Sequence, residues 1–473
     1  MKDIVISGAR EGNLKSISLR IPREKLVVLT GVSGSGKSTL LIDVLFNECQ
    51  RQYLEAMDLQ GIRKSQVENI RGVSPAVCIT QRGANRNPRS TVGTVTNIYT
   101  ELRMLYEKLA VRNCPHCGVA ICAADCFETT EKRGGDFFVY MDCCVCGKRM
   151  DKLTRTQFSY NTKEGACPEC QGLGQTLKVD RTGAVDERRS LEDGAVRFWA
   201  QKYAEYQTGA FYAALRHYGL PVQPGTAVEA YSDLQKAVLY EGTSCSALQE
   251  TFPNIAVPKT VAQGRFEGVE PMLWRRLQEK GGDAKGMEGY FLHTPCRACG
   301  GERLNPLSRG AAVRDVRLPQ LSALSLDELR RWLEKLEQEL PSAHQKLVEP
   351  YLLDLQTKLR RLSDVGLGYL SLERQAGTLS GGETQRLRLA ALDSDITGIF
   401  YMLDEPTVGL HPQDTQGMID VLKQLRDNGN TVLVIEHDPD VMRAADHIID
   451  IGPGAGRHGG QVVGSGTLEE LAA

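Results

Sequence analysis

Lys25-Leu26-Val27-Val28-Leu29-Thr30-Gly31-Val32-Ser33-Gly34-Ser35-Gly36-Lys37-Ser38 is the stretch on which the fold turns. Residues 25–30 are apolar and rich in β-branched side chains, and they read as a buried strand. The next eight residues fit G-x-x-x-x-G-K-[ST] at every fixed position. Thr39 to Phe46 then reads as an apolar helix. Strand, glycine loop and helix together predict an α/β domain with a phosphate-binding loop. Gly31, Gly34 and Gly36, with Ser33, Ser35 and Thr39, would let backbone N–H groups converge on phosphate oxygens. The helix N-terminus adds a favourable dipole. Lys37 would neutralise the β- and γ-phosphates of ATP, and Ser38 would place its hydroxyl on Mg²⁺. The bland alternative is a glycine-rich turn that binds nothing.

Three later segments extend this reading. Ile399 to Leu403 is a second apolar strand, ending in Asp404-Glu405-Pro406. Two adjacent carboxylates at a strand end suit a divided task, Asp404 holding Mg²⁺ and Glu405 polarising the attacking water. Thr431 to Ile435 is a third, ending in Glu436-His437-Asp438, where His437 could sense the γ-phosphate or serve as a structural partner. Leu379-Ser380-Gly381-Gly382-Glu383 opens a helical stretch from Thr384 to Leu392. Ser380 and Glu383 fit a capping box, and Gly381 and Gly382 leave the helix end bare for an anion.

A chain of 473 residues exceeds what one hydrophobic core supports. Its 57 basic and 59 acidic residues exert no global pull toward nucleic acid, so any such surface must be a local patch. No apolar run approaches the ~18 residues of a membrane helix. The N-terminus lacks a secretory pattern, and the expected compartment is the reducing cytoplasm. Of 14 cysteines, eight form four Cys-x-x-Cys pairs, which in such a compartment point to metal. Cys143, Cys146, Cys167 and Cys170 have the spacing of a structural Zn²⁺ site, with Cys144 competing with Cys143 as ligand.

These motifs resemble the ABC ATPases. By that resemblance the Leu379–Glu383 motif is the signature sequence, completing the ATP site of an opposite cassette, and Gln81 belongs to the Q-loop. A chain with one set of motifs then has to form a homodimer or pair with a second cassette chain. The gap from Ser38 to Leu379, containing all four cysteine pairs, narrows the likeness to the UvrA family of nucleotide excision repair. Stretches similar to that family include Asn87 to Thr94, Phe158 to Asn161, Gly165 to Cys170 and Ala444 to Gly460.

The resemblance implies an ABC ATPase P-loop head with inserted zinc modules, a helical signature subdomain and an insertion domain. The implied boundaries are 1–95 and 391–473 for the ATP-binding core, 96–178 and 291–390 for the zinc and signature parts, and 179–290 for the insertion domain. It implies a second zinc module pairing Cys114 and Cys117 with Cys296 and Cys299, with Cys122, Cys126 and His116 as rival ligands. It also implies double-stranded DNA as partner, damaged or drug-modified. Only Gly118 to Asp142 separates Cys117 from Cys143, too short for the UvrB-binding domain found there in the repair proteins. The chain is therefore similar to class II UvrA-like proteins, and UvrB is not expected to dock. The competing readings are a DNA-drug resistance ATPase acting without UvrB, and a split half that scaffolds a second cassette with little turnover of its own.

Two segments stay open. Phe198, Trp199, Tyr203, Tyr206, Phe211 and Tyr212 could stack on bases or form a helical core. The basic residues between Arg63 and Arg112 could meet phosphates, line a solvated face or serve the nucleotide.

Overall fold

The computed structural model describes residues 3–59, 61–81, 87–281, 286–392 and 396–472. Arg82 and Arg86 of the basic stretch lie outside them. The chain forms two compact units, residues 1–172 with 302–473, and residues 173–301.

The first unit is built on a sheet in the order Gln461–Gly466, His447–Gly452, Leu26–Thr30, Thr431–Ile435, Phe400–Asp404, Ala76–Ile79. The last five run parallel, and Gln461–Gly466 is antiparallel at one edge. Parallel strands covered on both faces read as continuous apolar runs, which is why KLVVLT and TVLVI show no alternation. Val27, Leu29, Met402 and Leu433 face Leu41 and Leu45 of the helix after the glycine loop, together with an antiparallel sheet of Ile17–Pro22, Asp3–Ala9 and Asn69–Arg71. Leu26, Val28, Tyr401 and Val434 face the other way, into a helical layer.

The helix after the loop is wound wide. The Asn47 N–H reaches back five residues to Ile42 O, and regular α-geometry runs only from Asn47 to Ala56.

The helical layer contains Ile98–Leu109, Leu326–Glu339, Ser342–Asp364 and Gly381–Ala390. Leu326, Leu329, Leu333 and Leu336 recur at helical spacing and are buried, so one stripe of that helix meets the core. Ser325 starts it with a capping box to Glu328. Tyr106 is fully buried and donates its hydroxyl hydrogen to Val316 O at 2.8 Å, which fixes Ile98–Leu109 to the short strand Val316–Arg317.

The second unit pairs strands Gln175–Val179 and Phe291–Pro295 antiparallel. Helices Gln201–His217, Asp233–Glu241, Ser246–Thr251 and Val269–Glu279 pack around Phe211, Leu215, Leu239 and Met272. The aromatic stretch belongs mainly to this core. Trp199 and Phe211 are buried, Phe198, Tyr203 and Tyr212 pack against them, and Tyr206 alone of the six is exposed. The Arg276 guanidinium lies over Phe198 at 4.8 Å and Tyr203 at 5.4 Å.

Candidate nucleotide site and zinc modules

The glycine loop leaves the C-terminal end of its strand, and two further turns leave the ends of the next two strands on one side. Register aligns Asp404 with Ile435, and Ile435 with Leu29, so three turns from distant parts of the sequence stand side by side. The Glu405 N–H donates to Ile435 O at 2.9 Å, and the Glu436 N–H to Leu29 O at 3.1 Å.

Gly31 (φ +128°) and Gly36 (φ +114°) occupy the left-handed region that side chains avoid. A methyl at Gly31 would sit 2.0 Å from Ile451 O, and one at Gly36 would sit 2.9 Å from Leu14 Cδ2. The loop is pinned from outside by Asn13, whose side-chain amide donates to Gly34 O and Gly456 O, both at 3.1 Å. Inside it, Lys37 is buried and donates to Gly31 O at 2.7 Å and Val32 O at 2.9 Å. Burial lowers the Lys37 ammonium pKa, while the charges of Glu405, Asp404 and Asp450 pull it the other way. Ser35 Oγ is buried with no hydrogen-bond partner among the described residues. Ser38 is exposed, and its hydroxyl does not cap the following helix. A glycine cradle, a buried cation and an unsatisfied buried hydroxyl fit a phosphate chain.

Glu405 has φ +50°, rare for a residue with a side chain, and its Oε1 lies 3.7 Å from His437 Nε2. Sequence reasoning passed over the residue between the strand and His437. Glu436 is buried, and its carboxylate accepts from the Thr407 N–H at 2.8 Å, the Thr407 hydroxyl at 2.5 Å and the His437 N–H at 2.9 Å.

Ser380 caps the helix Gly381–Ala390. The Glu383 N–H donates to Ser380 Oγ at 3.2 Å, and the Ser380 N–H donates to Glu383 Oε2 at 2.6 Å. Tyr369 donates its hydroxyl hydrogen to the same Glu383 carboxylate. Burial opposes ionisation of Glu383, but these hydrogen bonds outweigh it and hold the carboxyl below its usual range. Gly381 abuts Gln81, where a methyl would lie 3.2 Å from Gln81 Cβ. Gln385, also missed from sequence, is buried and donates from Nε2 to Asp404 O at 2.8 Å and Ile79 O at 3.2 Å. It ties the helix to two core strands, and only its position on the inner face of a helix could have signalled this.

The eight Cys-x-x-Cys thiols gather into two groups, but not in the expected combinations. Cys114 and Cys117 join Cys143 and Cys146, and Cys167 and Cys170 join Cys296 and Cys299. Spacing had put Cys143 and Cys146 with Cys167 and Cys170, and the resemblance had put Cys114 and Cys117 with Cys296 and Cys299; both pairings are corrected. The cause is strand pairing. Phe127–Arg133 and Asp136–Asp142 form a hairpin that folds the intervening residues back, so Cys143 returns beside Cys117. Gln175 pairs with Pro295, so Cys296 follows directly and donates its N–H to Gly174 O at 3.0 Å.

Cys143, not its neighbour Cys144, belongs to the first group, and His116, Cys122 and Cys126 stand outside it. Cys122 Sγ faces Leu109 O, and His116 Nε2 faces Arg149 O. In each group the sulfurs all lie within 4.8 Å of one another. In the first, Cys114 and Cys146 are 3.9 Å apart and Cys117 and Cys143 are 3.8 Å apart. Four Zn–S bonds of about 2.3 Å in a tetrahedron demand S···S of about 3.8 Å, so the thiols fit zinc.

The basic stretch divides. Arg63, Lys64 and Arg71 are exposed. Arg89 donates to Gln171 O at 2.8 Å, Arg103 to Tyr99 O at 3.2 Å, and Arg112 to Asp151 O, so these three serve the fold. Among the described residues no helix is long and apolar enough to cross a membrane.

With the loop, the carboxylates and the histidine on neighbouring strand ends and the Ser380-capped LSGGE helix packed against Gln81 and Val408, the first unit has the build of an ABC-type ATPase cassette. Its relatives carry the assignment further. A family model described as the UvrA DNA-binding domain matches residues 181–285. UvrABC system protein A of Thermus thermophilus is 35% identical over an alignment covering 100% of this chain and 61% of that protein. The Streptomyces avermitilis protein of the same name is 33% identical, with 99% and 58% covered. The crystal structure of UvrA2 from Deinococcus radiodurans superposes with a TM-score of 0.72 at 31% identity, covering 99% of this chain and 57% of that one. The chain is similar to UvrA proteins along its whole length, and it spans about three fifths of the length of the curated relatives it matches.

Proposed function

We propose that this chain is a UvrA-type ATPase that binds duplex DNA, damaged or drug-modified, and adjusts its grip through ATP turnover between two cassettes. The observation that carries this reading is the register of the three turns, which brings Lys37, Asp404, Glu405 and His437 to one end of the sheet. Lys37 and the loop amides bind the triphosphate, and Ser38 and Asp404 would hold Mg²⁺, which neutralises phosphate charge. Glu405 orients water for in-line attack, and His437 and Gln81 respond to the γ-phosphate. Ser380, Gly381, Gly382 and Glu383 present a helix end to the nucleotide of a second cassette, in a homodimer or a companion chain. The two thiol groups hold structural zinc.

DNA binding is assigned to the second unit because the UvrA DNA-binding domain model falls within it. Contact by shape and backbone charge suits a segment without base-reading motifs. The alignment to the Thermus relative runs over 595 positions for 473 residues of this chain, so that relative carries residues without counterpart here. A short strand, Ala120–Cys122, one helical turn and a hairpin fill the interval between Cys117 and Cys143, which favours action without UvrB and supports tolerance of DNA-bound drugs as the second reading. The deciding experiment measures ATP hydrolysis with intact, damaged and intercalator-loaded duplexes at stated salt. Stimulation by modified duplex supports the proposal, and indifference to all DNA overturns it. A pull-down with UvrB is expected to be negative.

A further inference from the structure

We infer that Glu436 is a positioning residue that clamps the turn carrying Glu405 to the turn carrying His437, so that both groups meet the nucleotide as one rigid pair. This rests on the ATPase reading and deepens it.

Glu436 follows the all-buried strand Thr431–Ile435 and is itself 2% exposed. A carboxylate there is costly unless its lone pairs are satisfied. Among the described residues they are satisfied by two adjacent turns and not by a counter-ion. Oε1 accepts from the Thr407 N–H at 2.8 Å and the Thr407 hydroxyl at 2.5 Å. Oε2 accepts from the His437 N–H at 2.9 Å and, more weakly, from the Asp438 N–H at 3.4 Å. One oxygen therefore holds the Glu405 turn and the other the His437 turn. Only a carboxylate offers acceptors on both sides; a glutamine would turn an NH₂ toward donors on one of them.

The clamp bears on groups that need it. Glu405 sits at φ +50°, a conformation its surroundings must enforce. His437 is exposed and owes its place to its backbone. Their side chains stand 3.7 Å apart. The same turn also reaches the helix opened by Ser380, since a methyl on Gly382 would lie 3.3 Å from Val408 O. A shift of that helix therefore bears on a turn that Glu436 joins to His437.

The test uses the full chain. ATP turnover and Mg-ATP affinity are measured for wild type, Glu436→Gln, Thr407→Val, Thr407→Ser, His437→Ala and the Glu436→Gln/His437→Ala double variant. Amide hydrogen exchange is followed without nucleotide. Glu436→Gln is expected to lower kcat about tenfold to hundredfold, the scale of a small misplacement of reacting groups, with Mg-ATP affinity within about twofold of wild type. Thr407→Val follows in the same direction, and Thr407→Ser restores turnover. The double variant turns over no more slowly than His437→Ala alone. Exchange at the Thr407 and His437 amides accelerates in Glu436→Gln. An unchanged kcat, an additive double variant, or affinity lost in step with kcat overturns the clamp. A wild-type chain without turnover instead sinks the ATPase reading, and the clamp is then decided by exchange: unchanged protection of both amides refutes it. If Glu436→Gln does not fold, Thr407→Val carries the same comparison.

Discussion

His437 Nε2 lies 3.7 Å from Glu405 Oε1, across the ends of two neighbouring parallel strands. A carboxylate in that place, on a strained turn facing the glycine loop, is suited to orient water. Glu405→Gln keeps the shape and removes the charge. We expect phosphate release to fall at least about a hundredfold, while a fluorescent ATP analogue still binds. Retained turnover would remove Glu405 from the reaction.

The glycine loop should tolerate no side chain at its first position. Gly31→Ala would need a β-carbon 2.0 Å from Ile451 O at φ +128°, so the loop or the strand His447–Gly452 has to move. Nucleotide titration should show affinity lost. Lys37→Ala should lose affinity as well but retain the melting temperature within a few degrees, because among the described residues its ammonium donates only to carbonyls of its own loop.

Zinc content reads the thiol grouping directly. Elemental analysis should find two zinc ions per chain, and Cys117→Ser, at an exposed ligand, should reduce this to one. Cys122→Ser, Cys126→Ser and Cys144→Ser should each keep two. Loss of metal from the Cys144 variant would contradict the grouping. Chelation should loosen the Phe127–Arg133/Asp136–Asp142 hairpin, detectable as faster amide exchange there.

Tyr106→Phe tests the helical layer. Removing a hydroxyl that donates to Val316 O takes one partner from a carbonyl on a half-buried strand, at a cost of about 0.5–1.5 kcal/mol. Urea unfolding should show the midpoint shifted down, with Mg-ATP affinity unchanged.

The candidate nucleotide site could be outlined from sequence because its motifs are local. A glycine loop after an apolar strand, paired carboxylates after another and a histidine after a third each declare themselves within ten residues. The thiol grouping was not legible from spacing, because proximity there is made by strand pairing. Gly134-Gly135 between alternating residues is a two-residue hairpin signal, and reading it first would have placed Cys143 beside Cys117. The aromatic stretch from Phe198 to Tyr212 was ambiguous because exposure of a ring depends on partners such as Arg276, far along the chain. Glu436 and Gln385 were missed for a related reason: a polar residue beside an apolar run looks like the strand's or helix's edge until the neighbouring turn is in place.

The six-stranded sheet that carries the glycine loop is woven from both ends of the sequence, Leu26–Thr30 lying between Thr431–Ile435 and His447–Gly452. During synthesis the glycine-loop strand emerges early and waits hundreds of residues for either neighbour, whereas residues 173–301 contain their own core and can collapse as they leave the ribosome. The unit with the glycine loop is then the last part to close, and until it does, an apolar strand edge is available to chaperones or to aggregation.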